Sequence, residues 1–153
     1  MRASSKKESS RSIAIVVAIV LIASAMLVLR PNPEQVVAVS SDRLLRVEGV
    51  TRSSGSVLIE RLDEIETSIP NLFSPVYEVS LTSSGTLEEA EFRFFFSALS
   101  SDLAIQDVTV YQFNRERLSW EAVPTFFDLS THTLTCELDF SESVLVGLGA
   151  RVL

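Results

Sequence analysis

His132, Cys136 and two short acidic stretches are the residues whose types could do chemistry, and each lacks the partners that chemistry needs. His132 is the only histidine. A zinc site or hydrolytic triad around it would have to be completed by Asp and Glu from elsewhere in the chain. Its neighbours Ser130, Thr131 and Thr133 read as a turn. Cys136 is the only cysteine, which excludes an intramolecular disulfide and a cysteine-based zinc site. Lying between Leu134 and Leu138 and beside Glu137, it reads as an inward-facing, unreactive thiol. Asp63–Glu66 and Glu88–Glu91 gather carboxylates. A calcium loop needs oxygens at alternate positions and a Gly to turn, so both read as solvated faces. All five glycines are isolated, and none builds a phosphate cradle. No catalytic residue, cofactor or metal is expected, and the protein is not expected to be an enzyme.

Aromatic residues offer contact rather than reaction. Tyr111, Phe113, Trp120, Phe126 and Phe127 are too many for one small interior face. Along Val108–Phe113, Tyr111 and Phe113 oppose Val108 and Val110, so this run is apolar on both sides. Packing into the core is the favoured reading. The alternative is an exposed apolar patch for a protein partner, and these five residues are the candidate interaction surface.

Charge is divided unevenly along the chain. Arg2, Lys6, Lys7 and Arg11 against Glu8 give the first eleven residues a net charge of +3. After Arg30 there are eight Arg, no Lys and nineteen Asp or Glu, a net charge of −11. A segment this acidic repels phosphate backbones, so no nucleic-acid partner is expected.

Between these two regions, Ile13–Leu29 is apolar except for Ser24. As a helix its seventeen residues span roughly 25 Å, slightly short of a hydrocarbon core of about 30 Å. Arg11 and Arg30 can snorkel to make up the difference, and Pro31 and Pro33 end the helix. Four basic residues precede the run and only Arg30 directly follows it, which keeps the N-terminus cytoplasmic and exports the rest. The competing reading is a cleaved secretory signal ending at Ala23-Ser24-Ala25. Against it, Met26–Leu29 continues the apolar run. Both readings export the C-terminal part.

The exported part is patterned as strands. Leu134, Cys136, Leu138 and Phe140 alternate with Thr135, Glu137 and Asp139, the period of a half-buried strand. Phe92, Phe94 and Phe96 repeat the pattern, as do Tyr77, Val79 and Leu81. Further runs lie at Leu44–Val50, Val57–Leu62, Val108–Phe113, Trp120–Val123 and Val144–Leu148. Turn residues separate them at Ser53–Gly55, Ser83–Gly85, Asn114–Glu116 and Ser130–His132. Only Leu99–Ile105 has a weak helical period. About eight or nine short strands at this spacing predict an all-β antiparallel β-sandwich.

The order of several pieces resembles a β-sandwich superfamily that includes the ankyrin and netrin-receptor sandwich domains and the autoproteolysis-inducing domain of adhesion receptors. The pieces are Ser74–Ser80, Gly85–Leu87 and the aromatic strand Glu91–Phe96, then Val108–Tyr111, Leu118–Trp120, Val123-Pro124, Phe127-Asp128, Thr133–Thr135 and Phe140-Ser141. The resemblance covers roughly residues 44–149 and implies a binding or force-bearing module. It also implies a place to look for self-cleavage, because some members break the chain before a Ser or Thr that follows a His by two positions. Asp139-Phe140-Ser141 stands at the matching place. Ser141 supplies the hydroxyl, but Asp replaces the histidine base, and a carboxylate is a far weaker proton acceptor than imidazole. Self-cleavage is therefore not expected.

The expected organisation is a cytoplasmic tail at 1–11, a transmembrane anchor at 12–30, a linker at 31–42 and an extracytoplasmic β-domain at 43–153. The expected location is the cell membrane, crossed once. The expected function is protein binding or scaffolding at the cell envelope. A different class of reading is an accessory subunit of a membrane-embedded enzyme or transporter, with Ala14, Ala18, Ala23 and Ala25 packing against a partner helix.

Overall fold

The computed structural model describes residues 32–63, 65, 67–95 and 105–151. The chain divides into Met1–Asn32 and Pro33–Leu153. The expected anchor Ile13–Leu29, the Ala23-Ser24-Ala25 triplet and nearly all of Leu99–Ile105 lie outside the described residues. Among the described residues no helix is long and apolar enough to cross a membrane.

Ten strands are present among the described residues: β1 (Glu34–Val39), β2 (Leu45–Thr51), β3 (Val57–Leu62), β4 (Val76–Leu81), β5 (Thr86–Phe95), β6 (Val108–Asn114), β7 (Ser119–Val123), β8 (Phe126–Asp128), β9 (Thr133–Ser141) and β10 (Ser143–Ala150). They form two five-stranded sheets, ordered β1-β2-β5-β9-β8 and β3-β4-β10-β6-β7, and every pairing is antiparallel. Two of them lie outside the runs read from the sequence. β1 occupies half of the span 31–42 read as a linker, and its Val36 and Ala38 lie opposite Gly49 and Val47. β8 is three residues long, too short to display a period.

Alternation in the sequence becomes the two faces of each sheet. Leu45, Val47, Phe92, Phe94, Leu134 and Cys136 from the first sheet form one cluster with Tyr77, Val79, Val110, Val144 and Val146 from the second. Leu45, Val47, Tyr77, Val79 and Phe92 keep no exposed surface, and burying each such side chain stabilises the fold by roughly 1.5–3 kcal/mol. Phe92→Ala would remove one of the largest contributions, at about 3–5 kcal/mol.

Two irregularities shape the sheets. Pairing slips between Glu48 and Val50 on β2 and between Leu87 and Ala90 on β5, and Glu89 takes a left-handed φ of 51°. This β-bulge leaves a backbone amide without a ladder partner. Asp139 Oδ1 accepts that Glu89 amide at 2.8 Å.

β10 is paired with β4 over Ser143–Val146 and with β6 over Val146–Ala150. Beyond Val146 the segment before β4 takes over. The Phe73 amide donates to Leu148 O (2.9 Å), the Leu148 amide to Ser74 Oγ (2.9 Å), and the Ala150 amide to Pro70 O (2.7 Å). Glycine makes this approach possible. A Cβ on Gly149 would sit 2.3 Å from Ile69 Cγ2 and 2.7 Å from Pro70 O, well inside contact distance. Segment 67–75 therefore straps the face of the second sheet that points away from the core, where Ile69, Val76 and Tyr111 form a second buried cluster.

Candidate functional site

The strap and the edge strand β7 enclose a groove of about 520 Å³, lined by Pro70, Tyr111, Trp120, Thr125 and Arg151 among others. β6 supplies the floor because it is buried on both faces from Val108 to Tyr111. Val110 turns into the main core, and Tyr111 turns under the strap at 5% exposure. The Tyr111 hydroxyl donates to Ala150 O at 2.7 Å, tying floor to wall. Phe113 and Trp120 are cross-strand partners, with ring centroids 5.4 Å apart in an edge-to-face arrangement. Such a pair adds about 0.5–1.5 kcal/mol beyond its burial and fixes the indole.

The threonine hydroxyls of this groove are used internally. Thr109 Oγ1 donates to Val123 O (3.2 Å), Thr125 Oγ1 donates to the same oxygen (2.8 Å), and the Val110 amide donates to Thr125 Oγ1 (3.0 Å). These bonds hold the turn out of β7 rigid. Among the described residues, the groove lining contains one arginine and no Asp or Glu.

The five aromatic candidates thus separate. Tyr111 and Trp120 line the groove, and Phe113 braces Trp120. Phe126 and Phe127 stand on β8, at the edge of the other sheet. There Phe127 lies opposite Leu134 and Phe126 opposite Thr135. Phe126 is 69% exposed, Phe127 44% and the following Leu129 65%. Core packing accounts for Tyr111, and an open surface accounts for the β8 pair.

The turn after β8 is built by Asp128. Its Oδ1 accepts the Ser130 amide (2.8 Å), the Ser130 hydroxyl (2.6 Å) and the Thr131 amide (3.4 Å). These bonds, the Ser130 hydroxyl foremost, lower its pKa to about 2, so Asp128 stays charged across ordinary pH. His132 occupies the same turn with a left-handed φ of 53°. Cys136 lies opposite Phe92, 1% exposed, and burial, with Glu137 adding to it, pushes its thiol up to about 12.

Three carboxylates of the acidic stretches pair with arginines, while Glu64 and Glu66 lie outside the described residues. Asp63 pairs with Arg61 at 2.6 Å and Glu88 with Arg52 at 3.5 Å, while Glu91 pairs with Arg93. These are surface pairs that water and salt screen, so they add little to stability. Among the described residues, no group of three or more His, Cys, Asp and Glu could hold a metal ion.

A second cleft, of about 390 Å³, is lined by Phe113, Arg115, Glu121, Asp139, Phe140 and Ser141, so it contains the peptide bond where the family resemblance directs attention. Asp139 there accepts the Glu89 amide, a structural use that accounts for a carboxylate at this position. Arg115 approaches Glu78 at 3.6 Å, and the Ser143 hydroxyl donates to Glu78 Oε1 at 2.9 Å.

Sequence reasoning missed Arg151, Pro70 and the strap. The pair Gly147 and Gly149 inside a strand was the available signal, because glycine there marks a close approach of another backbone. No family model, curated protein or solved structure matches the chain.

Proposed function

We propose that the protein is a single-pass, membrane-anchored extracytoplasmic β-sandwich that binds a partner protein through the edge of its first sheet. The observation that carries this reading is the exposed row Phe126, Phe127 and Leu129 on and beside β8. Sheet edges in water are ordinarily guarded by charge, proline or a covering segment, because an apolar edge invites another chain to dock. β8 instead offers two phenylalanines, with Asp128 drawn into its own turn. Anchoring and export are supported by the apolar run Ile13–Leu29 and by the change of net charge across it. The motif order that resembles the ankyrin and netrin-receptor sandwich superfamily fits a binding module equally well.

The test is photo-crosslinking from the full-length protein in its native membrane, with benzoylphenylalanine replacing Phe126. A discrete adduct to one protein is expected, with none from the same probe replacing the exposed Glu60 on β3. Absence of an adduct at 126, or the same adducts from both positions, would overturn the reading. An adduct to a polytopic membrane protein would assign the module to an accessory subunit.

A further inference from the structure

We infer that the groove between the strap and β7 is a second binding site, separate from the β8 edge, for an extended peptide that carries an acidic side chain. Charge is the starting point. The region after Arg30 has eight Arg against nineteen Asp or Glu, yet among the described residues the lining of this groove holds Arg151 and no carboxylate. In a domain of this composition, a cation at the end of a groove whose described lining carries no acid favours an anionic ligand.

The remaining polar groups narrow the ligand further. The hydroxyls of Thr109, Tyr111 and Thr125 all donate to backbone oxygens, so these three are engaged without a ligand. The Arg151 amide donates to Asp107 O at 2.8 Å, which fixes the base of a side chain whose planar guanidinium can fork onto a carboxylate. Trp120 and Ala122, two residues apart on β7, lie on the groove side with Tyr111 and Phe113. They present the two-residue repeat of a pleated strand.

β7 is the last strand of its sheet among the described residues, and a sheet edge takes an added strand by main-chain hydrogen bonds. A peptide laid along β7 would place alternate side chains over the groove. An apolar one would lie against Trp120 and an acidic one would point toward Arg151. An anionic polysaccharide shares the charge but has no main chain to pair with the edge, so the peptide is the favoured class.

The test uses the full-length protein in detergent micelles and a phage-displayed library of random twelve-residue peptides. Enriched peptides are expected to carry Asp or Glu with an apolar residue two or four positions away. Their affinity should fall about tenfold or more for Arg151→Glu, the loss expected for a charge-assisted hydrogen bond. Arg151→Glu should leave the melting temperature unchanged, because the side chain is at the surface, and should instead enrich peptides with Lys or Arg. Trp120→Ala should also weaken binding, and Phe126→Ser should not. Enrichment without acidic residues, affinity indifferent to Arg151→Glu, or no enrichment at all would overturn the inference. Binding of hyaluronate with the same dependence on Arg151, in place of any peptide, would reassign the ligand class.

Discussion

The Tyr77 hydroxyl donates to Asp42 Oδ2 at 2.8 Å, so a core residue of β4 is pinned to the β1–β2 turn of the opposite sheet. Asp42 organises that turn. Its Oδ1 accepts the Ser40 hydroxyl (2.6 Å) and the Leu44 amide (3.0 Å), and its Oδ2 lies 3.4 Å from Arg61 Nη1 on β3. Arg43 sits at the crown with φ 62°. Tyr77→Phe removes one buried hydrogen bond and should cost about 0.5–1.5 kcal/mol of unfolding free energy, measured by urea denaturation.

The same pair sets a pH window. Burial raises the Asp42 pKa, but the bonds from Ser40, Leu44 and Tyr77 together outweigh it and leave the carboxyl below its ordinary 3.8. A depressed carboxyl contributes stability above pH 3.8 and loses it as pH falls through the folded value. Burial and the bond to Asp42 raise the Tyr77 phenol above its ordinary 10.0, so its contribution is complete below pH 10.0 and is lost as pH rises further. Thermal melts across pH should therefore decline at both ends. Asp42→Asn should flatten the acid limb and Tyr77→Phe the alkaline one.

Gly149→Ala should destabilise by about 1–3 kcal/mol, as overpacking does, because the new methyl meets Ile69 Cγ2 at 2.3 Å. Gly147→Ala meets Ile69 Cδ1 at 3.2 Å, a flexible methyl that can give way, and should cost less. Trimming Ile69 to Ala should recover part of the Gly149→Ala loss but not the contact with Pro70 O. A double-mutant cycle reads this coupling.

Asp139→Ala removes an exposed hydrogen bond at the bulge and should cost about 0.5 kcal/mol, since water can take the Glu89 amide, while Asp139→Asn, which keeps an acceptor oxygen, should cost less. The wild-type chain should remain a single full-length band on denaturing gels after prolonged incubation at neutral pH. Fragments split between Phe140 and Ser141 would contradict a purely structural role for Asp139.

The features behind these effects are unevenly legible in the sequence. The inward positions of β9 and of β4 can be read directly, because Leu134, Cys136 and Phe140, like Tyr77 and Val79, alternate with polar neighbours and bury their apolar side. β8 cannot, since Phe126-Phe127 places apolar residues on both faces and the strand ends before any period shows. β1 is masked by the prolines just before it. Tyr111 and Val110 are both buried because a strap brought from 67–75 covers the second face, and no local pattern announces such a segment. The bond from Glu89 to Asp139 joins residues fifty positions apart, and the groove gathers Pro70, Trp120 and Arg151 from three distant stretches. Periodicity reports on a strand and its own two faces; it is silent on what another segment lays over them.

The proposed function requires that the two-sheet domain stand outside a membrane, anchored by the N-terminal segment. Cys136 makes a direct measurement possible, being the only cysteine and buried. In a Cys136→Ala background, Ser130→Cys places one thiol on the exposed turn after β8. Intact cells would then be treated with a membrane-impermeant maleimide and their carbonate-washed membranes collected. Labelled protein of full length is predicted in the membrane pellet; label that appears only after lysis, or protein released into the wash, would contradict the anchored, exported topology.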